Sequence, residues 1–203
     1  MKLETYIENE IIPRYLGFDR AHGPEHAKSV IDRSLKLAEI YGLDLRMVYA
    51  AAAYHDTGLA EGRERHHLVS GRIIREDRML REWFTEEQIE TIAEAAEDHR
   101  ASAAREPRSI YGRVLAEADR QIDPELTVRR TVQYGLSHYP EMGKKEHWRR
   151  MLEHLQEKYA EGGYLKLLIP ESDNAHRLEE LRSLMKDRGR LREIFEKEYS
   201  EGA

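Results

Sequence analysis

Residues 50–67 read AAAAYHDTGLAEGRERHH, an apolar helical run that ends in His55-Asp56 and meets His66-His67 after a short loop. Imidazole nitrogens and carboxylate oxygens are the side-chain atoms that bind divalent cations and handle protons near neutral pH. His55 continues the stripe Leu45, Val48, Ala52 at helical spacing, with Asp56 beside it. Three further residues repeat the oddity. His99 continues Ile89, Ile92 and Ala96; Asp119 lies four residues beyond Leu115 and eight beyond Tyr111; His26 precedes Val30 by four on the same side. A carboxylate at the end of a buried stripe is costly unless it is paired or coordinated. Taken singly, a histidine here is a satisfied core residue, Asp119 a partner of Arg120, and Asp56 a cap for the next turn. One metal site accounts for all of them, because separate helices aiming N and O ligands at one spot is how bundle-core metal sites are built.

The elements that must position these groups are helical almost throughout. Leu3, Tyr6, Ile7 and Ile11 form a first helix that Pro13 should interrupt. Ala27, Val30, Ile31, Ser34, Leu35 and Ala38 form a second, with Gly42 as its stop. Asp44 caps the helix that leads into His55, and its alanines allow close packing. Gly58 and Gly62 mark a loop, and a further helix carries Val69, Ile73 and Leu80. Thr85-Glu86-Glu87-Gln88 matches a capping box that opens the helix leading to His99. Ile110, Tyr111, Val114, Leu115 and Ala118 follow Pro107, and Asp123-Pro124 reads as a cap with a first-turn proline. Trp148, Met151, Leu152, Leu155 and Tyr159 give another stripe, broken at Gly162-Gly163. Residues 164–169, YLKLLI, fit strand or helix, and a last charged helix runs from about Asn174 with Leu178, Leu181 and Met185 inward. The expected fold is all-α: one compact helical domain over 1–203, its metal site in the helical core.

Composition narrows the function. Charged residues make up 35% and hydrophobic residues 40% of 203, which suits a water-soluble helical protein. A net charge of −6 gives no global basic footprint for a nucleic-acid polymer or a membrane surface. With no cysteine, disulfides and thiolate metal sites are excluded. The opening MKLETYIENEII is too polar for a signal peptide, and no apolar run approaches a membrane span. The expected location is the cytoplasm. The other histidines (His22, His138, His147, His154, His176) carry no positional signal.

The ordered set His26, His55-Asp56, Asp119 resembles the HD-domain superfamily of metal-dependent phosphohydrolases. The contexts HGPEHAKSV, AAAAYHDTG and LAEADRQID carry the resemblance, which covers about residues 20–125; a helical extension over about 126–203 has no functional signature. The resemblance implies a bundle of the HD type. Its two-metal members add a histidine after the doublet and another before the last Asp, here His67, within HHLVSG, and His99, within AEDHR. The distance from His67 to Gly71 favours His67, with His66 and a one-metal site as alternatives. Leu59 stands where the cyclic-dinucleotide phosphodiesterases of the superfamily carry a Lys, and their Gly-Tyr-Pro element is missing. HDTGLAEG lacks the Glu-Asp pair of the alarmone hydrolases.

The expected chemistry follows from those ligands. Imidazole and carboxylate without sulfur suit one or two ions of Mn²⁺, Fe²⁺, Co²⁺, Ni²⁺ or Mg²⁺. With two ions Asp56 would bridge them and be the most important catalytic group, while a bound ion supplies hydroxide near pH 7. Arg120, Arg129 and Arg130 are the candidates for holding a substrate phosphate. The reading is hydrolysis of a small anionic phosphate ester, foremost a nucleotide. A di-iron oxygenase on the same ligand pattern and a non-catalytic metal-binding helical module are the alternatives. Oligomeric state is not legible.

Overall fold

Helix α1 (Leu3–Tyr6) begins a longer helical path whose winding widens over Ile7–Ile11 and tightens over Ile12–Gly17. Pro13 thus changes the winding instead of ending the helix: it sits at the start of the tight stretch, where its missing N–H costs nothing. In this computed structural model residues 1–19, 22–100 and 105–202 are described. Among them all regular structure is helical, and no helix is long and apolar enough to cross a membrane. The chain forms two compact units, Met1–Arg120 and Gln121–Ala203. The sequence reading had one domain, with its core ending near residue 125.

In the first unit, α2 (Pro24–Ile40) and α3 (Leu45–Tyr54) form an antiparallel pair, with Gly42 at φ +60° in the turn between them. Helices α5 (Glu86–Asp98) and α6 (Ile110–Asp119) pack on α3, and α4 (His66–Glu76) packs on α5. The expected signals operate at their ends. The Asp44 carboxylate accepts the Arg46 N–H at 2.9 Å, and Thr85 with Gln88 closes the reciprocal capping box. Ala50–Ala53 are all buried, so neighbouring helices come close to the α3 backbone. The path after α4 differs from expectation. Asp77 ends the helix and caps a short turn, Arg78–Glu82, so Leu80 belongs to that turn; Ser70, Gly71 and Ile74 are buried, and Ile73 packs half-buried against the same core.

Two arginines tie the end of α5 to its surroundings. Glu97 receives Arg75 at 2.5 Å and Arg108 at 2.6 Å, while buried Asp98 accepts both the backbone N–H and the guanidinium of Arg108. Half-exposed pairs of this kind contribute little singly, but Asp98 is buried and its satisfaction matters more.

The second unit holds α7 (Pro124–His138), α8 (Lys144–Tyr159), α9 (Asn174–Lys186) and α10 (Arg188–Gly202) around Val128, Val132, Met151, Leu155, Leu181 and Phe195. Asp123 caps α7 ahead of Pro124. YLKLLI forms neither helix nor strand, and the single last helix expected from the sequence is two. Asp187 accepts the Arg190 N–H at 3.0 Å, ending α9 and starting α10.

Gly58 is the tightest joint in the first unit. A Cβ there would lie 2.1 Å from the His66 carbonyl oxygen, and its N–H donates to Ser70 Oγ at 2.9 Å. Gly58→Ala should force the loop off α4 and destabilise the protein by about 1–3 kcal/mol or more. Urea unfolding measures this; a loss below about 0.5 kcal/mol would contradict the packing.

Candidate metal centre

Six side chains converge where the ends of five helices meet. His26 lies in the first turn of α2, His55 and Asp56 follow α3, His66 begins α4, His99 caps the end of α5 and Asp119 is the last residue of α6. His55, Asp56 and His99 are buried. The two carboxylate oxygens of Asp56 face different partners. Oδ2 lies 3.2 Å from His55 Nε2 and 3.6 Å from His26 Nε2; Oδ1 lies 3.4 Å from His66 Nε2 and 3.5 Å from His99 Nε2. Asp119 Oδ1 joins the first set, 3.2 Å from His26 Nε2 and 3.8 Å from His55 Nε2.

The outer nitrogens explain the orientation of the inner ones. His55 Nδ1 lies 2.7 Å from Ala52 O, His99 Nδ1 2.5 Å from Ala96 O, and His66 Nδ1 2.7 Å from Arg63 O. A carbonyl only accepts, so each contact assigns a proton to Nδ1 and leaves the Nε2 lone pair pointing inward. His26 and His55 then present Nε2 atoms to each other at 3.2 Å, as do His66 and His99. The anchored tautomers of His66 and His99 set two lone pairs against each other, which repel at that distance unless a cation or a shared proton lies between or beside them. This donor set, imidazole and carboxylate without sulfur, fits divalent first-row metals or Mg²⁺. The atoms form two groups that could each hold an ion, His26–His55–Asp56 and Asp56–His66–His99, with Asp56 common to both.

Without an ion, protons answer the same demand. Burial works against charge at every group here, yet Asp119 and Asp56 raise His26 to about 9, and Asp56 raises His99 as well. Burial also opposes ionisation of Asp56, but His55, His26 and His99 hold its carboxyl far below the usual range. Asp119, likewise against burial, is lowered to about 2 chiefly by His26. Burial lowers His66.

The sequence reading preferred His67 beside Asp56; the structure turns His66 there. Consecutive residues on a helix differ by about 100° in direction, so only one of the pair can face the cluster. His66 is the one whose ring is anchored, through Arg63 O. His67 is half-buried, its Nδ1 without a hydrogen-bond partner among the described residues, and burial lowers its pKa to about 4. Arg120 follows Asp119 and is half-buried, its pKa lowered by burial. Arg129 and Arg130 belong to the second unit, where Arg129 Nε lies 3.0 Å from Oε1 of buried Glu198 and Arg130 is exposed. Two residues escaped the sequence reading. Tyr15 Oη donates to Ala53 O and accepts the Asp56 N–H, and Arg100, next to His99, donates to Glu64 O across the loop before α4. Arg100 could have been found by its adjacency to His99; nothing in the local pattern marks Tyr15.

Comparison with known proteins follows the same lines. Residues 24–121 match the family model of the HD domain. A crystal structure of a predicted HD superfamily hydrolase from an uncultured Thermotogales bacterium has a similar fold, with a TM-score of 0.50 and 22% sequence identity over 77% of this chain and 96% of that one. No curated protein matches the chain. All six converging side chains lie within residues 24–121, the segment that matches the HD-domain family model.

Proposed function

We propose that this protein is a metal-dependent phosphohydrolase that holds two divalent ions on His26, His55, Asp56, His66, His99 and Asp119. The observation that carries the reading is the split of Asp56, one oxygen toward each pair of facing histidine nitrogens. That is the arrangement of a carboxylate shared between two cations. The HD family and the hydrolase designation of the similar Thermotogales structure support the reaction class. Mn²⁺, Fe²⁺, Co²⁺, Ni²⁺ and Mg²⁺ all suit the donors. Ions bound there would lower the pKa of coordinated water toward about 7 and stabilise charge on phosphoryl oxygens.

The chain's own groups do the rest. The carboxyls of Asp56 and Asp119, held below the usual range by the imidazoles around them, would offset the cation charge. The Nδ1–carbonyl bonds keep three imidazoles in the tautomer that ligates through Nε2, as outer hydrogen bonds do in metal sites generally. Arg120 and Arg100, each next to a ligand in sequence, are assigned to the substrate's phosphate. With a chain charge of −6, long-range attraction for an anion is weak and recognition must be local. A small phosphate ester, foremost a nucleotide, fits that better than a nucleic-acid polymer.

The reaction is tested by phosphate release from a panel of nucleotides and simple esters, with each metal added in turn under anaerobic conditions. Asp56→Ala should reduce the rate by several orders of magnitude with the helical content intact. No release from any ester, with O₂ uptake by the iron form, would overturn the assignment.

Metal content separates the two neighbouring histidines. His66→Ala should lose one ion per chain, whereas His67→Ala keeps both; elemental analysis of the purified variants reads this directly. The opposite result would restore His67 to the ligand set.

Binding should also depend on pH. His26 carries a proton below about 9 in the metal-free protein, and a ligand nitrogen must shed it. Apparent metal affinity therefore rises with pH and levels off near pH 9, with proton release detectable by calorimetry in buffers of different ionisation enthalpy. At neutral pH, metal in hundredfold excess over its dissociation constant should raise the melting temperature by about 5–10 °C. A melting temperature indifferent to chelation would count against any metal at this site.

A further inference from the structure

Three successive carbonyls at the end of α3 are each taken by a side chain. His55 Nδ1 donates to Ala52 O at 2.7 Å, Tyr15 Oη to Ala53 O at 2.9 Å, and Thr57 Oγ1 to Tyr54 O at 2.7 Å. His55 and Thr57 act from three residues away. Tyr15 reaches across 38 residues, from a segment that precedes the stretch matched by the HD family model. The same hydroxyl accepts the Asp56 N–H at 3.2 Å. One oxygen atom therefore joins the last turn of α3 to the backbone of the shared carboxylate residue.

Its surroundings leave it little freedom. The Tyr15 side chain is fully buried, packed edge-on against Phe18 and near the His55 ring. A phenol keeps its proton near neutral pH and can donate and accept at once. Asp56 itself leaves the helical conformation at φ −108°, ψ 4°, and its N–H donates to the Tyr15 hydroxyl.

We infer that Tyr15 is a positioning residue for the metal centre: by holding the Asp56 backbone at the end of α3, its hydroxyl aims the two carboxylate oxygens at the two histidine pairs. This rests on the ligand set proposed above. It makes the N-terminal helical segment, outside the matched family region, part of what sets metal affinity in this chain. A merely structural Tyr15 would contribute a buried hydrogen bond and nothing more, and the two roles separate experimentally.

Tyr15→Phe removes one oxygen and keeps the ring. Tyr6→Phe is the control: it removes a hydroxyl of the same segment, which donates to Asp77 at 2.7 Å and touches none of the six ligands. Metal dissociation constants come from chelator competition, and the Co²⁺ absorption spectrum reports ligand geometry. Tyr15→Phe should weaken binding by about tenfold or more and shift the Co²⁺ spectrum. Tyr6→Phe should lower the melting temperature comparably while leaving affinity and spectrum at wild-type values. Wild-type affinity in Tyr15→Phe, or equal weakening in Tyr6→Phe, overturns the inference while the ligand set stands. A wild-type protein that binds no metal overturns both. Should Tyr15→Phe fail to fold, 3,5-difluorotyrosine at position 15 weakens the acceptor without removing it; a smaller loss in the same direction supports the role, and unchanged affinity rejects it.

Discussion

A histidine that gives its Nδ1 proton to a carbonyl three residues back is the interaction on which the rest of this centre depends. His55 and His99 repeat it at the ends of α3 and α5, each with an alanine carbonyl as acceptor. Those carbonyls belong to the last turn of a helix, where they lack intrahelical partners and carry the negative end of the helix dipole. The bond satisfies an orphan acceptor, fixes the tautomer and aims the remaining nitrogen away from the helix. His66 does the same at the start of α4 by using Arg63 O in the preceding turn. One local device, used three times, converts helix ends into a ring of inward lone pairs.

That ring is crowded, and the crowding has a backbone origin. Ala50–Ala53 let neighbours approach α3 closely, Gly58 brings its loop against the His66 carbonyl, and Gly71 lies where a Cβ would strike the Glu97 side chain. Small residues set the distances between helices, and the helix ends then set the distances between ligands. The charge network of Arg75, Glu97, Asp98 and Arg108 holds the α5 end in that frame from the outer side.

Much of this was legible in the chain. Polar residues that continue apolar stripes at helical spacing pointed to His26, His55, Asp56, His99 and Asp119, and the structure brings those five together. Adjacent histidines defeated the same logic, because His66 and His67 open their helix and no earlier turn shows which one faces in. The breaks at Asp77 and Asp187 were hidden for a related reason. Hydrophobic spacing carries on across a one-residue interruption, while an aspartate that caps the following turn looks like any other surface acid. Tyr15 was invisible because its role is set by contacts 38 and 41 residues away, and a tyrosine on an amphipathic segment has no local mark of that.

Asp119 is the last residue of α6, one position before the boundary of the first unit. During synthesis the six donors therefore leave the ribosome over a stretch of nearly a hundred residues, and the set is complete only when that final carboxylate emerges. Until then His26, His55, Asp56, His66 and His99 lack the carboxylate that lies 3.2 Å from His26 Nε2 in the folded chain.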